Sequence, residues 1–384
     1  MSGLFAFDDA ACRSLAETHG TPSFAYTGER ARTGFQALRK ALPARVRLAY
    51  AVKANPHADL LRSFAELGAS FDCASGGELR RVAALGLPPG GLFYAGPGKR
   101  DEELALALEL GARVQAESWE DLVRLEALST APVEVNLRVH PRTGADESNP
   151  IIGGTGPSAF GVDEEDVPEL LERARGLRRV RIQGLHVFAA SNQRDAGKLL
   201  ATHAMVLELA QGLHEHHGLE LAQIDLGGGL GVPYGPHETP LDPAALGQGL
   251  AELLARHPWF RGELVLEPGR FLAAACGVYL VRVLRVKESR GTRFVILEGG
   301  INHLLRPLLT GQPFPVKAIE KPGPGRPATL AGPLCTSLDR LGEVDMPELA
   351  PGDLLAFGMT GAYGFTEAMA PFLSHEVPRE IWMP

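Results

Sequence analysis

One pattern constrains this chain more than any other. From residue 46 to residue 269 a short apolar run of β type, a turn of small residues and a stretch of helical period recur. The runs are RLAYAVK (47–53), ASFDCAS (69–75), GLFYAG (91–96), RVQAES (113–118), VEVNLRV (133–139), RIQGLHVF (181–188), LAQIDLGGG (221–229) and GELVLEPG (262–269). After the first, Leu60, Leu61, Phe64 and Leu67 share one face of a helix. Ser75 with Glu78 three residues on reads as a capping box, Gly86 reads as that helix's stop, and Ser118 with Asp121 repeats the opening signal. A helix from Asp101 and helical stretches near 165–175, 195–217 and 243–256 fill the remaining gaps.

Strand–helix units in succession build a parallel sheet, because each helix returns the chain to the end where the next strand starts. Eight of them close into a barrel. The predicted fold class is therefore α/β, a (β/α)8 TIM-type barrel over 26–265, followed by a β-rich domain of 1–25 plus 266–384. CGVYLVRVLRVKES, TRFVILEGG, PATLAGPLC and GDLLAFG supply that second domain's strands. The loop 140–163, rich in Gly, Pro and Ser, is too long for a plain connection and is expected to lie over the barrel mouth.

Composition narrows the function. Across 384 residues, 45% are hydrophobic and 22% charged, the proportions of a globular protein. A net charge of −8 argues against nucleic acid or an anionic membrane as partner. No apolar run reaches the roughly 18 residues of a membrane helix. MSGLFAFDDAACRS has acids where a secretory signal has bases, so the cytoplasm is the expected compartment. Cys12, Cys73, Cys276 and Cys335 are far apart with no CxxC pair, which excludes a zinc knuckle or disulfide framework as the expectation.

Active sites of such barrels sit at the carboxyl ends of the strands. There the sequence places Lys53, Asp72 with Ser75, His186 with Phe188, Gly227 to Gly229, and Glu267 with Gly269 and Arg270. Lys53 admits two readings. It is an ammonium partly stripped of water, with a lowered pKa and an amine free for Schiff-base chemistry, or it is a lysine snorkelling from a strand end. GGGLG is either a tight turn or a set of N–H donors for phosphate; it fails the dinucleotide fingerprint, since Val232 or Tyr234 stands at the third glycine. Glu267 and Arg270 form an ordinary ion pair, or else divide into a carboxylate for a protonated ring nitrogen and a guanidinium for phosphate. Cys335, flanked by small and polar residues in GPLCTSLD, is a small core residue or a reactive thiol. His214, His216 and His217 precede Gly218 at a helix end, where they complement the helix dipole, and no metal is expected.

Seven motifs in order, YAVKAN, FDCASGGEL, GLHVFAAS, IDLGGGLG, EPGR, GPLCTSLD and GAYG, carry a resemblance over nearly the whole chain. It resembles the pyridoxal-phosphate-dependent decarboxylases of the alanine-racemase-like fold (fold type III), the group of diaminopimelate and ornithine decarboxylases. The resemblance implies pyridoxal 5'-phosphate as cofactor, held by Lys53 through its amine. It implies Gly227, Gly228, Gly229, Arg270 and Tyr363 on the phosphate with Ser191 nearby, Glu267 on the pyridine nitrogen, and Asp72, Phe188 and Gly269 lining the cofactor site. It implies a homodimer with shared active sites, in which Cys335 of a second copy returns a proton to the substrate carbon. Related racemases place an arginine at the ring nitrogen, so Glu267 favours decarboxylation.

Arg306, Thr336 and Asp339 are the expected substrate contacts. The chain departs from the family pattern at three places. HIGS is Phe188-Ala189-Ala190-Ser191, the acid after the catalytic cysteine is Thr336, and RPxLY reads Arg306-Pro307-Leu308-Leu309-Thr310. A grip on a distal amine is weakened, while a grip on a carboxylate remains. With GGTGPSAFGVD and FLSH, these changes resemble the branch of secondary metabolism. Its substrates are small conjugates, such as a citryl-amino acid of a siderophore precursor, or amino acids on a carrier protein. A free diamino acid, or racemisation on the same fold, is the alternative.

Overall fold

The computed structural model describes residues 3–86, 91–143 and 156–384. Most of the loop expected over the barrel mouth, 144–155, lies outside the described residues. The chain forms two units. One comprises 34–232 with 240–269, the other 1–33 with 233–239 and 270–384.

The first unit is a closed barrel of eight parallel strands. In chain order they are Val46–Ala51, Ser70–Cys73, Leu92–Tyr94, Arg113–Ala116, Val133–His140, Val180–His186, Gln223–Asp225 and Glu263–Leu266. Each pairs with the next, and Leu264 to Leu266 of the last run parallel to Val46 to Leu48 of the first, which closes the ring. All eight expected strands are present; seven end two to four residues before the sequence limit and the fifth, Val133–His140, one residue past it. The excess is turn: after Ala51, Val52–Ala54 is a single 3-10 turn, so Lys53 stands beyond its strand.

Capping explains where the helices start. Ser75 accepts the Glu78 amide, Ser118 the Asp121 amide and Asp195 the Lys198 amide. Gly218, at φ +66°, ends the helix Ala196–His217 in the left-handed conformation that glycine adopts without strain. His214 stacks on Trp259 with ring centroids 5.1 Å apart, and His216 bonds the Gly212 carbonyl.

Ala49, Phe93 and Val265, from the first, third and last strands, pack together in the core. The barrel interior also holds buried polar side chains. Asn136 donates to Gln223, and Gln115 donates to Asp225. Gly184 makes room for this, since a Cβ there would lie 1.8 Å from the Asn136 carbonyl oxygen. Phe93 is the largest side chain of that cluster and is buried. Phe93→Ala is expected to lower stability by about 3–5 kcal/mol, read as a lower urea midpoint at unchanged slope.

The second unit is a mixed β-sheet whose spine is the strand Gly277–Ser289. Antiparallel to it run Ser23–Thr27, Thr292–Leu297 and Leu354–Gly358. Arg326–Ala331 pairs parallel with Thr292–Leu297, and Arg340–Met346 pairs antiparallel with Arg326–Ala331. Arg379–Met383 lies parallel to Ser23–Thr27. Among the described residues no helix is long and apolar enough to cross a membrane.

Candidate active site

The carboxyl ends of the barrel strands gather charged groups that the strands themselves bury. Lys53 Nζ lies 2.9 Å from Asp72 Oδ2. Asp72 is 1% exposed, whereas the Lys53 side chain is 43% exposed. The 3-10 turn sets Lys53 on the rim, with a buried counter-ion behind it. Burial, and then the charge of Glu267, push the Asp72 carboxyl above its ordinary range against the pull of Lys53.

Glu267 follows the last strand and is fully enclosed. Burial alone would raise its pKa. His186, Lys53 and Arg138 outweigh burial and hold it down to about 2. His186 Nε2 stands 3.7 Å from Glu267 Oε2, too far for a hydrogen bond, so this attraction acts through space. Asp225, at the end of the seventh strand, is pushed well up, by burial first and then by Glu267. It accepts from Gln115 Nε2 at 3.0 Å and from the Gly227 amide at 2.9 Å. Of three enclosed carboxyls, Glu267 is held below its ordinary range, while Asp72 and Asp225 are pushed above theirs.

Buried polar atoms ordinarily have partners. Among the described residues Glu267 Oε1 has none, nor does Asp72 Oδ1, nor either ring nitrogen of His186. A charged carboxylate oxygen with no donor fits a ligand that brings one, such as a protonated ring nitrogen. His186, Asp225 and Glu267 also bring ligand atoms within 4.8 Å of one another, close enough for a cation. A metal held there would take Glu267 away from any ring nitrogen.

The glycines have a packing reason that the sequence reading lacked. A Cβ on Gly227 would lie 2.8 Å from the Val187 carbonyl, one on Gly228 2.8 Å from the Glu267 carbonyl, and one on Gly229 2.7 Å from the Ala190 carbonyl. The loop after strand six thus runs hard against GGG, with the Phe188 ring over Gly227 and Gly228. Ser191 lies in that loop, half-buried, and the Gln193 amide bonds the Gly229 carbonyl. Gly269 sits against Ala51 and Ala54, either side of Lys53.

The second unit has its own charged cluster. The Arg270 and Arg306 guanidiniums both lie over the Tyr363 ring, at 4.8 and 4.6 Å from its centre. Tyr363 itself is held at φ +57°, a conformation that costs a residue bearing a Cβ. Arg270 donates to the Tyr234 hydroxyl at 2.9 Å, and among the described residues it has no carboxylate at ion-pair distance. Arg306 is bonded to both oxygens of Glu367.

Cys335 is exposed, and Cys12, Cys73 and Cys276 are buried. The Cys335 loop is braced by Asp339, which is 3% exposed and accepts from the Ile301 and Leu334 amides. The Thr336 hydroxyl accepts from the Leu338 amide. Both polar side chains are therefore engaged by backbone in shaping the turn.

Sequence reasoning passed over Asp225, Arg138 and Glu367. The first two carried a signal, being charged residues inside strand runs. Glu367 carried none.

These features define a class: barrels that set a lysine amine, paired with a buried carboxyl, beside an enclosed anion at the carboxyl ends of their strands. Comparison with known proteins narrows it. The family model described as "Pyridoxal-dependent decarboxylase, pyridoxal binding domain" matches residues 29–274. The chain is 31% identical to an L-glutamyl-[BtrI acyl-carrier protein] decarboxylase of Niallia circulans, over 97% of this chain and 91% of that protein. It is 33% identical to a diaminopimelate decarboxylase of Zymomonas mobilis, over 96% of this chain and 89% of the relative. Diaminopimelate decarboxylase of Helicobacter pylori, solved with L-lysine, superposes at a TM-score of 0.88 with 28% identity, covering 97% of this chain and 94% of that one. The chain belongs to the pyridoxal-dependent decarboxylase family, as a carboxy-lyase that uses pyridoxal phosphate.

When bound, the cofactor supplies an electron-accepting ring that takes up the electron pair left on the substrate carbon as CO2 departs.

Proposed function

We propose that this enzyme removes the α-carboxylate of an amino acid whose distal end is already joined to another group. A carrier protein or a small acid such as citrate is the partner of that end. The observation that carries the reading is Thr336. Where diamine-forming members of the family place an acid to hold a distal ammonium, this chain has a hydroxyl that accepts a backbone amide. The Niallia circulans relative, whose name gives a glutamyl group on a carrier protein, supports it. Retention of Arg306 favours the second reading, a free diaminopimelate-like substrate with a distal carboxylate.

Within this reading Lys53 holds the cofactor, and Glu267 accepts from its ring nitrogen and keeps it protonated. Asp72 sets the Lys53 amine. Gly227 to Gly229 and Arg270 receive the phosphate, with Tyr363 beside it. Cys335 is supplied by a second copy in a cytoplasmic homodimer and protonates the carbon that lost CO2. Glu267, held ionised, speaks against a racemase.

The test is CO2 release by purified holoenzyme from free diaminopimelate, lysine and ornithine, from citryl conjugates, and from carrier-bound amino acids. Turnover is expected only with joined substrates. Release from a free diamino acid at an ordinary rate, about 1 per second or faster, refutes the reading.

A further inference from the structure

Arg306 does not wait for an anion. It is 2% exposed, and its Nη1 lies 3.0 Å from each oxygen of Glu367, 61 residues away in the chain. Glu367 is the more accessible partner, its side chain 28% exposed. A buried guanidinium needs a counter-charge, because removing it from water without one is costly. Here the chain supplies that charge itself. A substrate carboxylate arriving at Arg306 would meet a neutralised guanidinium and the like charge of Glu367. Arg306 Nε, by contrast, is buried and among the described residues has no acceptor. The pair carries no net charge, and Glu367 engages only Nη1, leaving the N–H donors of Nε and Nη2 untaken.

We propose that Glu367 is a specificity-determining residue. Its carboxylate takes the place a substrate carboxylate would hold on Arg306. The site then selects an amino acid whose distal end is an uncharged carbonyl, an amide or thioester, accepting from a guanidinium N–H that Glu367 does not engage. This rests on the proposed reading of a joined substrate, and it supplies that reading with a physical cause. Arg270, over the same tyrosine ring but without a carboxylate partner among the described residues, stays free for a permanent anion.

The test compares matched ligands on the holoenzyme by calorimetry, so it needs no turnover. L-glutamate, L-2-aminoadipate and L-2-aminopimelate are each set against the distal amide of the same acid. Wild type is expected to bind the amide more tightly at the best chain length. In Glu367→Ala the acid is expected to gain about tenfold to a hundredfold over the amide, the contribution of a charged hydrogen bond. Glu367→Ala with Arg306→Gln is expected to lose that gain. Glu367→Gln, which keeps the volume, is expected to shift the ratio the same way and serves if the alanine variant does not fold. A wild type that prefers the free acid overturns the proposal. So does a ratio unmoved by either substitution, or a gain that survives loss of Arg306. If the ratios move as expected and joined substrates release no CO2, the reading of function fails and Glu367's role stands.

Discussion

Glu267→Gln is expected to lower CO2 release by about a hundredfold to a thousandfold, the usual cost of removing one preorganised electrostatic partner. The cofactor is expected to remain attached at Lys53. The substitution preserves shape and hydrogen-bonding reach, so the barrel mouth keeps its packing and only the charge goes. That charge is costly for the fold to maintain. The carboxylate is enclosed, and it stays ionised down to about pH 2 only because His186, Lys53 and Arg138 surround it. A protein that surrounds one buried anion with three basic side chains has a use for the anion at the operating pH. Its neighbours provide a second readout. Asp225 and Asp72 are pushed up by burial first and by Glu267 next. In the Glu267→Gln variant their carboxyls are expected to titrate at lower pH, seen by carboxyl-carbon NMR. CO2 release unchanged by the substitution, with epimerised amino acid appearing instead, would establish a racemase.

The barrel was legible in the sequence because most positions of its strands are buried and apolar, and the runs recur with helical stretches between them. What blurred was the carboxyl ends. In LAQIDLGGG only Gln223–Asp225 is ladder, since the glycines turn to let the Val187–Ala190 loop pass at close range. Strands of the second unit were legible where they are long, as in Gly277–Ser289. They were missed in Arg340–Met346 and Arg379–Met383. Those are half exposed and carry charged residues, and become strands only through the neighbours they pair with.

The site divides in the same way. Lys53 and Glu267 end apolar runs, where a charge is conspicuous. Asp225 and Arg138 sit inside such runs, equally visible, but their meaning depends on which strands face each other across the ring. Glu367 lies in an irregular stretch far along the chain from Arg306, and no local pattern links the two. Asp339 reads as a substrate contact from its place beside Cys335, yet its carboxylate is occupied by the Ile301 and Leu334 amides.

Lys53→Ala is expected to have the largest effect of all, a fall in CO2 release of about ten-thousandfold with no pyridoxyl group recovered on the chain. In wild type, borohydride reduction and peptide mapping are expected to place that group on Lys53 alone. A pyridoxyl adduct on another lysine, or full activity without one, contradicts the assignment. The substitution also has a structural consequence that separates chemistry from folding. Asp72 is enclosed, and Lys53 is the partner that offsets its burial. Deleting the amine leaves a buried carboxyl with nothing at 2.9 Å, and the melting temperature is expected to fall most above the pH where that carboxyl ionises. Below it Asp72 takes up a proton and the penalty disappears, so the loss shrinks as pH falls. Adding Asp72→Asn to Lys53→Ala removes the charge for good. The double variant is expected to recover stability at neutral pH and none of the CO2 release. If the double variant melts no higher than Lys53→Ala, the Lys53–Asp72 pair is not what steadies the barrel mouth. A loss of activity confined to Lys53, unrepaired by restored stability, is the signature of an amine that holds the cofactor and takes part in the proton transfers around it.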